Sequence, residues 1–460
     1  MAHASLRFYD KSKIDKSNVL FKNSDLRTLL IPIMIEQFLN SFIGMADTMM
    51  VSQVGSAAIS AVSLVDSINV LVIQVFAALA SGGAIICAQY LGRKDAAGSS
   101  RAAKQVTLAV AAISVSLMIL CMVFCHPLLW LIFGKVELDV MEASVLYFWI
   151  TAASFPFIAL FNAGSAFYRA GGESRFPMLV SVASNVLNIF GNAVFIFGCG
   201  MGVAGAALST LLARFFCAVV LFYGLRRPRQ PIVISGYLKI RPDLPLITTV
   251  LKIGIPTGIE NGMFQFGKLA IQSSVSTLGT AAIAAQAMTS ILENVSVVAA
   301  MSIGIGLMTV IGQCMGAGRV EEARYYIVKL TAVSEAVIIV SSLLVLAATK
   351  PVLFLAGMEA ESARLCFEMT VFITIVRPVS WVLSFIPPYG MRAAGDVRFS
   401  MLLSTVSMWG CRVFLAVYLI RMQGFGPIAV WIGMFADWVI RSIAFTIRFF
   451  SGKWTRFHVI

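Results

Sequence analysis

Charge is what this sequence has least of. Asp, Glu, Lys and Arg together make up 12% of its 460 residues, where soluble domains carry about 25%. That shortage excludes a soluble enzyme, a nucleic-acid-binding module and a disordered scaffold. Histidine is scarcer still: His3, His126 and His458 lie far apart and are assigned no metal role. The eight cysteines (Cys87, Cys121, Cys125, Cys199, Cys217, Cys314, Cys366 and Cys411) are scattered in or beside apolar stretches. No two form CxxC, so neither a disulfide framework nor a zinc site is supported, and they read as small buried hydrophobes. No P-loop for ATP is present, and no nucleophile–base cluster or metal-ligand set recurs at a workable spacing. The chain is therefore not expected to be an enzyme or to hold a cofactor. The first 28 residues are polar and basic, with no apolar core ahead of a small-residue cleavage site. They read as a cytoplasmic tail, not a signal peptide.

What is abundant is apolar surface: 59% of residues are hydrophobic and the mean hydropathy is +0.89. The apolar residues fall in long blocks, and a bilayer-crossing helix needs about 20 of them. Twelve blocks qualify, at 29–50, 58–87, 104–125, 141–165, 178–198, 204–224, 247–270, 282–312, 328–348, 366–388, 400–420 and 427–447. The expectation is an all-α membrane protein of about twelve transmembrane helices. The net charge of +13 sits mostly in the gaps between blocks, not on one stripe, which is membrane topology and not a nucleic-acid footprint. Basic residues alternate between sides. Arg93, Lys94, Arg169, Arg175, Arg226, Arg227, Arg229, Lys239, Arg241, Arg319, Arg324, Arg392, Arg398, Arg448 and Lys453 share the side of the basic tail residues Arg7, Lys11, Lys13 and Lys16. The other side has Lys135, Lys350, Arg364 and Arg421. The positive-inside rule puts both termini in the cytoplasm, as an even number of spans demands. An inner (plasma) membrane location follows, with the bilayer as partner.

An internal repeat is visible without gaps. At the 224-residue offset that separates Pro32 from Pro256, IPIMIEQF from Ile31 lies on IPTGIENG from Ile255, and Glu36 lies on Glu260. Gly55 falls on Gly279, Gly82 on Gly306, Gln89 on Gln313 and Gly92 on Gly316. At an offset of 223, YRAGGESRFPML from Tyr168 lies on MRAAGDVRFSML from Met391. Each half holds six spans, so both insert in one orientation and form two pseudo-symmetric six-helix lobes. The expected domains are a cytoplasmic tail (1–28), a first lobe (29–225), a cytoplasmic inter-lobe loop (226–246), a second lobe (247–448) and a C-terminal tail (449–460). Two such bundles about a cleft suit alternating access.

The stretch GMADTMMVSQVGSAAISAVS (44–63), the Gln89–Gly92 and Gln313–Gly316 motifs, the RAGGESRFPM loop, SNVLNIFGNAVFIFG (184–198) and GMGVAGAALST (200–210) resemble the multidrug and toxic compound extrusion (MATE) transporters. The resemblance spans nearly the whole chain in family order. It implies export of organic, often cationic compounds by a monomer, driven by inward H⁺ or Na⁺ flow. Asp47 matches the acidic residue of the family's first helix, Asn188 the asparagine of its ion site and Thr210 its sixth-helix threonine. Asn192 stands where some members carry a second carboxylate. Ser165, with Asn162 one turn earlier, stands where some carry asparagine. Phe264 holds the place of a seventh-helix glutamate, and Glu260 comes four residues after Pro256.

The residues themselves also nominate a site, because an ionisable group at membrane depth costs roughly 2.5–3.5 kcal/mol and needs a reason. Glu36 and Asp47, eleven residues apart, lie within roughly 20° of one helix face and about 16 Å apart along it. Asp66 and Asn69 share a face, as do Asn188 and Asn192. In the first half, Glu36, Asp47 and Asp66 face only Arg214 as an intraspan base; in the second, Glu260, Glu293, Glu368 and Asp437 are met by Lys268, Arg377, Arg412 and Arg441. Asp437 and Arg441, four apart, are expected to pair. Negative charge is thus in excess in the first lobe, and Asp47, Asn188, Asn192 and Thr210 form the candidate cation site. The structural alternative is that the asparagines and threonine only hydrogen-bond between helices. Glu36, Glu260, Asp66, Glu293, Lys268 and Arg377 are candidates for a gate or a second-lobe polar site. Phe155, Phe264, Trp381 and Met263 are candidate cavity liners.

A proton needs one carboxylate, whereas Na⁺ needs several oxygens together. The lone Asp47 inclines the reading towards H⁺, with Na⁺ at Asp47 the only metal in question. A second function in play is a flippase for a lipid-linked saccharide, which would present Lys268, Arg377 and Arg412 to a lipid phosphate. The topology has a direct check. A cysteine placed near Val136 is expected to react with an impermeant thiol reagent added outside cells, and one near Gln230 only after permeabilisation; the opposite pattern overturns the orientation.

Overall fold

The computed structural model describes residues 8–460 apart from 11, 13, 16, 17, 135, 136, 238, 239 and 458, and describes no side chains at 43–46, 48 and 52. Arg7, Lys11, Lys13, Lys16, Lys135, Val136, Lys239, His3 and His458, named above, lie outside the described residues. Among the described residues the regular structure is helical throughout. In chain order the helices are α1 (Asn23–Ser52), α2 (Ser56–Gly92), α3 (Ala96–Val123), α4 (Cys125–Phe133), α5 (Leu138–Ala153), α6 (Phe155–Ala170), α7 (Arg175–Asn192) and α8 (Gly202–Gly224). They continue as α9 (Leu244–Val275), α10 (Thr280–Gly316), α11 (Val320–Leu355), α12 (Ala360–Ala393), α13 (Val397–Ser407), α14 (Phe414–Met422) and α15 (Ile428–Ser451).

Nine spans among the described residues are individually long and apolar enough to cross a membrane: α2, α3, α7 with its extension, α8, α10, α11, α12, α13 to α14, and α15. The block read as 141–165 is a bent pair, α5 and α6, meeting at 44°. The bend falls at Ser154 because Pro156, at the start of α6, has no N–H to continue the ladder. The first helix of each half, α1 and α9, is 30 and 32 residues long and completes the twelve. Both carry the polar residues and the helix-internal proline, Pro32 or Pro256, that lower their hydropathy. The protein is an all-α, multi-pass membrane protein of about twelve spans in two six-helix lobes. Its outward-facing positions are apolar, as lipid requires: Phe190, Leu344, Ile375, Val406 and Ile447 are each more than half exposed.

The helices gather into two compact units, one of Asp25–Gly258, the other of Ile259–Ile460 with the described part of the segment before Asp25. In the first unit α2 lies against α3, α5 and α6, and α7 against α8. The segment after α8 is held on this unit: Gln105 on α3 donates to the Arg241 carbonyl at 2.8 Å and accepts from the Asp243 amide at 2.9 Å. Arg101 hydrogen-bonds and pairs with Asp243, which holds that carboxyl below the usual range. In the second unit α10 lies against α11 and α12, and α12 against α15. The segment before α1 is fastened there. The Tyr326 hydroxyl donates to the Phe21 carbonyl at 2.6 Å, and the Asp10 amide donates to Glu321 at 2.9 Å.

The repeat is physical. Gly55 and Gly279 each precede the second helix of a half with φ of 139° and 96°, a region that glycine enters without strain. Arg169 pairs with Glu36 at 3.5 Å, and Arg392, 223 residues on, pairs with Glu260 at 3.5 Å. Both halves thus tie a helix-entrance glutamate to the arginine of the repeated loop motif.

Candidate functional site

In the first unit, α1 and α7 are joined by a ladder of side chains seven residues apart. Asn40 accepts from Ser181 at 3.1 Å and from Asn185 at 3.0 Å. Seven residues on, at the level of Asp47, Asn192 donates to the Asp47 carboxylate. Asn188, one turn earlier on α7, lies between Asp47 and Thr210. With its amide oriented to satisfy both, its nitrogen donates to Asp47 Oδ1 at 2.8 Å and its oxygen accepts from Thr210 Oγ1 at 3.3 Å. All four residues of the candidate cation site therefore meet. The close approach of α8 to α7 depends on Gly191: a Cβ there would lie 2.5 Å from Ser209 Oγ. Ser209 in turn donates to the Asn188 carbonyl at 2.7 Å. Directly after Asn192, α7 widens into a π-helical turn (Ala193–Gly198), a local form frequent at functional sites.

A second polar group lies in the same unit. Asp66 on α2 accepts from Asn69 at 3.3 Å and from the Tyr147 hydroxyl of α5 at 3.4 Å. Asn69 also donates to Thr151 at 3.5 Å. Arg214, one turn beyond Thr210 on α8, donates to Ser154 Oγ at 2.7 Å, at the bend between α5 and α6. Asp47 and Asp66 interact electrostatically with each other and with Arg214. Sequence reasoning noted Arg214 only as a counter-charge and missed Tyr147, Thr151 and Ser154. The i, i+4 spacing of Thr210 and Arg214 was the available signal for Arg214. Glu36 is not part of this centre, being paired with Arg169.

The second unit is arranged differently. Arg377 on α12 pairs with Glu293 at 3.3 Å and donates to Ser296 and, at 3.3 Å, to Ser342. These groups line a small cavity among α10, α11 and α12, with Thr289 and Thr370. Lys268 interacts electrostatically with Glu293. Glu260, besides Arg392, accepts from Ser400 at 3.3 Å. The expected pairing of Asp437 with Arg441 is replaced by another: Arg412 pairs with Asp437 at 2.8 Å, and Ser407 donates to its other oxygen at 2.5 Å. Arg412 reaches it from a π-helical turn (Met408–Val413) across the helix interface, and with Ser407 it takes both carboxylate oxygens. Arg441 stacks instead on aromatic faces, with its Cζ 4.5 Å from the Phe385 ring centroid and 5.2 Å from that of Phe264. Two expected cavity liners are packed in the interior: Phe155 against Phe76, and Trp381 stacked on Phe385.

A family model described as MatE matches residues 32–194 and 256–418, once in each half. An uncharacterized transporter of Bacillus subtilis, YisQ, is 27% identical over 96% of this chain and 98% of its own. A probable multidrug resistance protein NorM of Thermotoga maritima is 25% identical over 97% and 96%. Among solved structures, the outward-facing conformation of a multidrug resistance MATE family transporter superposes with a TM-score of 0.86 at 20% identity. It covers 92% of this chain and 94% of that one, so it shares the fold.

The Arg412–Asp437 pair makes a stability prediction. Removing one partner of a buried pair typically costs about 3–5 kcal/mol, because the other charge is left alone. Arg412→Ala is therefore expected to lower the melting temperature of the detergent-solubilised protein sharply, and adding Asp437→Asn is expected to recover part of the loss. Equal melting of Arg412→Ala and wild type would contradict the pairing.

Proposed function

The chain belongs to the MatE family, and from that membership we propose that it is a cation-coupled antiporter exporting organic, cationic or amphiphilic compounds by alternating access. The observation that carries the reading is the convergence of Asp47, Asn188, Asn192 and Thr210 from three helices of the first unit. An aspartate at membrane depth, held by amides that can each offer either a donor or an acceptor, is suited to gaining and losing one positive charge. When Asp47 is ionised, with no cation bound, the Asn188 and Asn192 amides donate to its carboxylate. When a proton is bound, Asp47 becomes a donor, and Asn188 turned about its amide presents an oxygen to it. The 2.8 Å separation of those atoms is an O–H···O hydrogen-bond distance. This favours H⁺ over Na⁺, which would have to be admitted between the two oxygens.

Small organic compounds are the substrates, the chain acts as a monomer, and both termini lie in the cytoplasm of a plasma-membrane protein. The first unit's excess of carboxylate attracts cationic compounds. Methionines (22) and phenylalanines (33) supply surfaces that repack around varied shapes. The flippase reading loses ground because Arg377 and Arg412, two of the three bases it would offer a lipid phosphate, are each bound to a carboxylate.

The test is uptake of a fluorescent organic cation into inverted vesicles under an imposed proton gradient. Asp47→Asn is expected to abolish gradient-driven uptake at normal membrane abundance; unimpaired transport would remove Asp47 from the mechanism. Asn188→Ala is expected to move the pH optimum of a proton-driven exchanger. Stimulation of the wild type by Na⁺ after the proton gradient has been collapsed would sink the proton reading.

A further inference from the structure

Arg214 is the buried group of the first unit that the scheme above does not use. A guanidinium has five donors, is always charged and is costly to hold away from water unless negative charge compensates it. Among the described residues its hydrogen bond is to a neutral hydroxyl, Ser154 Oγ at 2.7 Å, and no ion pair joins it to a carboxylate. Yet Asp47 on α1 and Asp66 on α2 both act on it electrostatically, as does Tyr147 on α5. Among the described residues these are the titratable groups that act on it. Asp66 itself is held only by neutral donors, Asn69 and Tyr147. The centre thus contains two carboxylates and one cation, a formal excess of one negative charge, which one exchangeable cation would cancel.

We infer that Arg214 is a resident cation shared between Asp47 and Asp66, parked on Ser154 in the arrangement seen here, and that Asp66 is the second carboxylate of the coupling site. When the transported cation occupies Asp47, Arg214 neutralises Asp66. When that cation leaves, the guanidinium swings towards Asp47 and prevents two bare carboxylates from facing each other in a medium of low dielectric. The arginine competes with the coupling ion and so sets its affinity and its release. This deepens the function proposed above and rests on Asp47 being the coupling residue.

Charge balance gives the test. The measurement is the H⁺ concentration that half-saturates uptake of the fluorescent organic cation into inverted vesicles, repeated with Na⁺ as the probe. Asp66→Asn leaves Arg214 free to capture Asp47, and the half-saturating concentration is expected to rise about tenfold or more, the scale of one charge-assisted hydrogen bond. Arg214→Gln removes the competitor, and the concentration is expected to fall by about the same factor while turnover slows, because the ion is released less readily. The double variant restores the excess of one negative charge and is expected to return to within about threefold of wild type, as coupled charges do in a double-mutant cycle. Arg214→Lys keeps the charge and is expected to stay near wild type; a fall in the half-saturating concentration as large as that of Arg214→Gln would show that shape and not charge matters, and would overturn the inference. So would an Asp66→Asn variant with unchanged affinity, or a double variant no better than the worse single one. Membrane abundance and melting temperature separate these outcomes from misfolding. Normal transport by Asp47→Asn would instead refute the coupling role of Asp47 itself.

Discussion

A carboxylate at membrane depth must be compensated by groups the protein brings with it, since the bilayer solvates neither charge nor an unpaired backbone. The arrangement of the first unit follows from that demand. Asp47 obliges α7 to present Asn188 and Asn192 four residues apart on one face, and obliges α8 to come close enough for Thr210 to join them. That approach is permitted by Gly191, where any side chain would strike Ser209. Asp66 makes the same demand of α5, and the bend at Ser154 places a hydroxyl under Arg214.

The second unit meets the same constraint by another route. Its buried carboxylates are each matched by an arginine: Glu293 by Arg377, Asp437 by Arg412 and Glu260 by Arg392, while buried Arg441 lies on aromatic faces. At the 224-residue offset, Arg412 stands where the first half has Asn188, and at 223 Asp437 stands where it has Arg214. The two halves keep a common frame, seen in the paired Glu36–Arg169 and Glu260–Arg392 contacts, while their polar centres have diverged. A centre whose carboxylates are all matched, with a buried arginine to spare, has little to gain from a passing cation, whereas one with a carboxylate in excess does. That asymmetry, not the shared frame, is the ground for proposing the coupling site in the first unit.

Much of this was legible from the chain alone, and for one reason. Lipid imposes rules on sequence that act over about 20 consecutive residues, so spans, their number and their repeat are written locally. All twelve apolar blocks correspond to helices, or to the bent pair α5 and α6. The face shared by Asn188 and Asn192 is likewise a matter of helical period. The meeting of Asp47, Asn188, Asn192 and Thr210 was reached through the family resemblance and the excess of acid in the first half, not from spacing.

Partner choice among buried charges depended on the tertiary structure. The sequence favoured Asp437 with Arg441 because they lie one turn apart, but a guanidinium on a long flexible stem can be outcompeted by another that crosses an interface, and Arg412 does so from a π-helical turn that no periodicity foretells. Arg214 was visible as a lone base, but its hydroxyl partner, the bend that supplies it and its place between two carboxylates depend on contacts between α2, α5 and α8. Length, hydropathy and repeat determined the helices, their number and the half that carries excess negative charge, since each is a property of consecutive residues. Which charges neutralise one another was decided only by the packing, because in a medium of low dielectric that outcome turns on separations of a few ångströms between residues far apart in the chain.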